Sequence, residues 1–224
     1  KATSLDEDYA PGHAALAEAL ADQSLIEDAL NHANISLELA PENPFSLRAM
    51  GYVYEVQGEY ATAITYYEQS QAVTPNLAYI LLDLGRNYRA LGSWEQAILT
   101  FEQAVTLAPD DVRGYDQLGW TYYVEGLYSA AVQSLEEAVK VDSDYAPAYG
   151  HLGIVLYVSR DYETAIPNFE QAISLGAQNE EYYYELGFCY VYIGECDQAI
   201  PYFQQALVIN PGSEVAAQGL ESCQ

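Results

Sequence analysis

Three histidines, three cysteines and 33 carboxylates are the side chains of this 224-residue chain that could do acid–base, thiol or metal chemistry. The histidines, His13, His32 and His151, stand at separations that match no metal-ligand spacing. His151 lies 34 residues before Glu185, which predicts that the two are neighbours, as a satisfied surface pair rather than a catalytic dyad. Asp142-Ser143-Asp144 offers two carboxylates in a turn, a minimal calcium candidate. The further ligands of a calcium loop are missing, and Asp is ordinary turn chemistry. There is no glycine-rich phosphate loop, dinucleotide fingerprint or nucleophile elbow. These residues predict no enzyme, no cofactor and no metal site.

The cysteines gather at one end, as Cys189, Cys196 and Cys223. If the helices around residues 193–195 are antiparallel, Cys189 and Cys196 flank their turn and can pair. Cys196 can equally meet Cys223, and three reduced thiols filling small spaces are a third arrangement. An odd count leaves one thiol over under any pairing, so the compartment stays open. Asn34-Ile35-Ser36 is a formal glycosylation sequon, but Asn34 falls inside a predicted helix and is a nominal acceptor only.

Charge narrows the partners. Seven Lys+Arg against 33 Asp+Glu give a formal net charge of −26. So negative a chain repels nucleic-acid phosphates and anionic membranes, which excludes nucleic acid as a partner. No apolar run approaches the ~18–20 residues of a membrane span, so membrane insertion is not expected. Half the residues are hydrophobic, enough for a packed core and too many for a disordered acidic tail. The chain opens at Lys1 rather than Met, the mark of a fragment or a processed form.

The elements that position these residues come from a 34-residue phrase. One copy reads Leu84-Gly85, Tyr88, Ala97, Phe101, Ala104 and Pro109; a shift of 34 gives Leu118-Gly119, Tyr122, Ala131, Leu135 and Ala138. Leu152-Gly153 with Phe169, Leu186-Gly187 with Phe203, and Met50-Gly51 with Tyr67 repeat it again. Each copy carries two helical patterns. Leu81, Leu84, Tyr88 and Leu91 recur at three- and four-residue steps, Gly92 breaks the helix, and Trp94 to Val105 restart the rhythm. A fixed period of this size means stacked supersecondary units that bury their faces against each other.

These spacings resemble the tetratricopeptide repeats, closely over 44–211 and weakly over 10–43, where Leu16-Ala17, Leu20, Ala29 and Pro41 fit but Ala33 replaces an aromatic. The resemblance implies an all-α right-handed superhelical solenoid of six helix hairpins, 10–43, 44–77, 78–111, 112–145, 146–179 and 180–212. An acidic tail, 1–9, would precede it and a C-terminal capping helix, 213–224, would close it.

The same resemblance places the second, fifth, ninth, twelfth and thirteenth residues of each unit on a concave lining. Counted from residue 44 onward, those positions hold aromatics, among them Phe45, Tyr52, Tyr79, Trp120, Tyr123, Tyr157, Tyr184, Phe188 and Tyr192. They also hold Arg48, Arg86, Arg89 and Arg113, four of the seven cations, where an even spread would put about one. This implies a ligand-binding groove in which arginines pair with carboxylates and aromatics stack along an extended acidic and aromatic protein segment. Packing between first helices, with the arginines neutralising Asp83 and Asp116, is the competing reading of the same residues. Members that clamp a C-terminal carboxylate use Lys and Asn. Arg48, Tyr52, Asp83, Arg113 and Gln117 stand at those places here, which excludes that clamp.

The alternative is a structural protein that assembles with copies of itself, head to tail, into an open filament at the cell surface or outside the cell. The alanine-rich first helix and the short last one are light caps, and Leu5-Asp6-Glu7-Asp8-Tyr9 complements the arginine-aromatic lining of a neighbour.

Overall fold

The computed structural model describes residues 8–223. Thirteen α-helices and no strand are found among them. The helices are α1 (Ala10–Asp22), α2 (Ile26–Leu39), α3 (Pro44–Val56), α4 (Tyr60–Val73), α5 (Ala78–Ala90), α6 (Trp94–Leu107), α7 (Val112–Val124), α8 (Tyr128–Val141), α9 (Ala146–Val158), α10 (Tyr162–Ser174), α11 (Glu180–Tyr192), α12 (Cys196–Ile209) and α13 (Glu214–Glu221). Leu5, Asp6 and Glu7 of the predicted acidic tail lie outside the described residues. Tyr9 is the residue before α1 and is exposed.

The period is visible in the helix starts: 10, 44, 78, 112, 146 and 180 for the first helix of each pair, and 26, 60, 94, 128, 162 and 196 for the second. Prolines sit in the first turn of α1, α3 and α9, where a missing N–H is harmless. Asn43, Asp111 and Asn179 cap α3, α7 and α11 by accepting a backbone N–H two residues on. The turn inside each pair needs one left-handed residue. Gly58, Gly92, Gly126 and Gly194 supply it freely, while Ser24 (φ 60°) and Arg160 (φ 64°) hold the same conformation against their Cβ atoms.

Within a pair, the glycine of the phrase lets a large side chain lie on the helix backbone. A Cβ at Gly85 would fall 2.6 Å from the Phe101 ring, and one at Gly187 would fall 2.7 Å from Phe203. Phe101, Phe169 and Phe203 are wholly buried there, and so is Tyr67, whose hydroxyl donates to Glu55 (2.6 Å).

The pairs group into two compact units that divide after Pro109, α1–α6 in the first and α7–α13 in the second. In the first unit α1 touches α3 and α3 touches α5, so the first helices of the pairs line one face. In the second, α7, α9, α11 and α13 are related in the same way. The short α13 packs on α11 and α12 and is tied to α12 by a Cys196–Cys223 disulfide, with Cα atoms 5.3 Å apart. Cys189 is a buried free thiol and does not reach Cys196.

Candidate recognition faces

On the first-helix face of the first unit the arginines are already engaged. Arg48 Nε donates to Asp83 Oδ2 (2.6 Å) and its Nη1 to Glu18 Oε1 (2.7 Å). Arg86 Nη2 donates to Asp83 Oδ1 (2.8 Å) and Glu55 Oε1 (3.2 Å), and Asn87 donates to the other Glu55 oxygen (2.8 Å). Asp83, only 3% exposed, thus sits between two guanidinium groups. Burial raises the pKa of Asp83 and the two arginines oppose the shift. Burial also works against the charge on Arg48, but Asp83 and Glu18 outweigh it and push its pKa up.

The remaining predicted residues of this unit lie around that network. Tyr79 lies under Arg48, with the guanidinium carbon 5.3 Å from the ring centroid. Arg89 is placed 5.9 Å over the Phe101 ring. The Tyr52 hydroxyl donates to Asp22, which raises its pKa to about 12. Tyr9, Pro11, Ala14, Ala15, Glu18, Asn43, Phe45 and Arg48 line a cavity of about 440 Å³, and Phe45 is 50% exposed at its rim.

The second unit carries few cations and many rings. Arg113 is drawn back onto Asp111, its Nη2 2.7 Å from Oδ2, and so serves the cap of its own helix. Trp120 lies against Tyr123 (centroids 4.8 Å apart) and the His151 ring (4.4 Å). Tyr157 meets Tyr162 and Tyr192, which stack at 4.6 Å; Tyr192 is 55% exposed. Phe188 packs edge-on against Phe203 and reaches Tyr192. Tyr184 is partly buried, and its hydroxyl is pushed up to about 12 by burial and then by Glu181 and Glu185.

One expectation changes. His151 pairs with Asp116, Nδ1 to Oδ1 2.6 Å, and not with Glu185. The reason is register: the fifth residue of one first helix meets the sixth residue of the next. Arg48 with Asp83 is one such contact and Asp116 with His151 is another. The histidine spacing suggested no metal site, and the fold brings two of the three together. His13 and His32 share a hydrogen bond, Nδ1 to Nδ1 2.8 Å, between α1 and α2. No sequence signal marks that contact, because it depends on how two helices cross.

Asp142 Oδ1 accepts the backbone N–H of Asp144 (2.9 Å), an ordinary Asx turn. Among the described residues no group of three or more His, Cys, Asp and Glu is placed to hold a metal ion. Asn34 is exposed on α2, but Ser36 of the sequon is buried and bonds to the Ala10 carbonyl and to Ser46. No described helix is long and apolar enough to cross a membrane.

Consecutive helix pairs, a glycine seating an aromatic in four of them, and a first-helix face rich in rings define a helical repeat protein. Tetratricopeptide repeat profiles match residues 44–110, 82–148 and 151–214, and the chain belongs to the tetratricopeptide repeat family. Among solved structures, PilF of Pseudomonas aeruginosa is similar over 97% of this chain and 98% of its own, with a TM-score of 0.83 at 20% identity. MamA is 28% identical over 72% of this chain and 95% of its own, with a TM-score of 0.65. YrrB, described as a tetratricopeptide repeat protein with an unusual peptide-binding site, covers 84% of this chain and 97% of its own at 17% identity and a TM-score of 0.66. These likenesses concern the fold. No curated protein matches the sequence.

Proposed function

We propose that the chain is a non-enzymatic scaffold that holds an extended protein segment along its first-helix faces. A single observation carries the reading: Trp120, Tyr123, Tyr157 and Phe188, partly buried, and Tyr192, exposed, form an aromatic set on consecutive first helices of one unit. Rings of this kind give large contact area at small entropic loss, and a repeat every helix suits an extended ligand. The cavity beside Phe45 adds room for one large side chain in the first unit. YrrB, of the same fold, is described by its peptide-binding site, which agrees with this use of the architecture.

The aromatic half of the expected ligand chemistry is better supported than the acidic half. Arg48 and Arg86 already face Asp83, Glu18 and Glu55, so a ligand carboxylate would have to displace a carboxylate of the chain itself. The favoured segment therefore presents aromatic and apolar side chains.

A photo-crosslinking amino acid at Tyr123 or Tyr192, compared with one at Leu99 or Val208 on the second helices, tests this against binders selected from a library of 12-residue peptides. Crosslinks from the first-helix positions are expected, with affinity falling about tenfold or more in Tyr157→Ala. A library that yields no binder, or binders crosslinked only from Leu99 and Val208, refutes it.

A further inference from the structure

The register that pairs the fifth residue of one first helix with the sixth of the next is satisfied in two places and interrupted in a third. Arg48 meets Asp83, and Asp116 meets His151. At the last such contact the sixth residue is Glu185 on α11, and the fifth residue of α9 is Gly150. Gly150 has no side chain to offer, and its place is filled by Tyr182: a Cβ there would fall 2.1 Å from that ring. The carboxyl is 7% exposed, and its Oε2 is buried without a hydrogen-bond partner. Such orphaned acceptors are rare in folded proteins and call for an explanation.

The surroundings describe what would fit. Glu185 acts electrostatically on Tyr157 of α9 and on Tyr123 of α7, two helices away, so phenol rings gather round it. Glu181, one turn earlier on α11, adds a second negative charge. Tyr182, Tyr184 and Cys189 also feel its charge, and none of these three is a cation. Rings beside a desolvated carboxylate form a setting for an organic cation, which gains from both.

We propose that Glu185 is the seat for a lysine or arginine side chain of the extended protein partner, with Tyr123 and Tyr157 as its walls. The inference rests on the scaffold reading above and names one chemical feature of the segment. The carboxyl has already lost its water on folding, so an arriving cation meets an acceptor whose desolvation is complete. A side chain over the carboxyl must turn aside to admit the cation. Burial, and secondarily Glu181, lift the Glu185 pKa to about 8, so the empty site holds a proton at neutral pH. The ammonium or guanidinium replaces that proton: the O–H bond breaks, the proton leaves to buffer, and a carboxylate–cation pair remains.

The test uses three labelled peptides built on four Tyr-X-Ser repeats, with X as Lys, Gln or Glu, in 0.15 M salt. They are measured against the unaltered chain, Glu185→Gln and, as a control for the general negative field, Glu221→Gln. The lysine peptide is expected to bind about tenfold more tightly than the glutamine peptide, and Glu185→Gln to erase that preference while Glu221→Gln keeps it. Calorimetry at pH 7 in two buffers of different ionisation enthalpy should show about 0.9 proton released per lysine peptide bound, and none with Glu185→Gln. Glutamine and lysine peptides binding alike, or lysine binding unchanged in Glu185→Gln, overturn this inference and leave the scaffold intact. If none of the three binds, both readings fall.

Discussion

Replacing Glu185 by Gln should stabilise the second unit, and by an amount that grows with pH. The neutral carboxyl and the amide have nearly the same shape, so the variant mimics the protonated state at every pH. In the unfolded chain the carboxyl ionises near 4.5; in the fold its pKa rises to about 8, chiefly through burial. Between these values the folded state binds more protons than the unfolded one, so the natural chain loses stability as pH climbs from 4.5 to 8. At about 1.4 kcal/mol per pH unit the full effect is ~5 kcal/mol above pH 8, and partial hydration of the ion cuts this to ~2–3 kcal/mol. Near pH 4.5 or below, the two proteins should be nearly equal. Guanidinium titrations followed by circular dichroism at pH 4.5, 6, 7 and 8.5 measure the difference directly. A stability difference that stays flat across that range refutes the account of Glu185 as a buried carboxyl without a counter-charge.

Four further outcomes test the framework around the sites. Arg160→Gly relieves a left-handed residue with a Cβ (φ 64°) and should raise stability by ~0.5–1 kcal/mol in denaturant melts, although glycine loosens the unfolded chain; a loss above 1 kcal/mol counts against strain there. Arg48→Ala leaves Glu18 without its cation and Asp83 with Arg86 alone, and should destabilise the first unit by about 2–3 kcal/mol, read by the same melts; an unchanged midpoint would mean that Arg48 contributes nothing. Thiol titration without reductant should find one thiol in denaturant, Cys189, and almost no reaction in the native chain, because burial pushes that thiol up to about 12. Reduction of Cys196–Cys223, which spans 27 residues, should lower stability by about 3 kcal/mol; three thiols in unreduced, denatured protein would refute the pairing.

The repeating helix pairs were legible in the sequence, because each depends on neighbours in the chain. Gly92 and Gly126 stop helices where they stand, and the spacing of Leu84, Gly85 and Phe101 is a contact within one hairpin. The partly buried rings Trp120, Tyr123, Tyr157 and Phe188 fall at positions that the 34-residue phrase leaves free to vary. The grouping into two units and the partners of the charged residues were not legible. Arg48 and Arg86 looked available to a ligand because Asp83, Glu18 and Glu55 come from other turns and other helices.

By itself, then, the sequence determined the all-α repeat and its period, since these follow from short-range sterics repeated every 34 residues. Only the tertiary structure decided which charges meet. It closed Arg48 on Asp83, took His151 to Asp116, brought His13 to His32 and left a buried Glu185 oxygen without a partner. Those outcomes turn on which residues of successive helices stand across from each other, and in a buried setting one missing side chain changes the charge state of its neighbour.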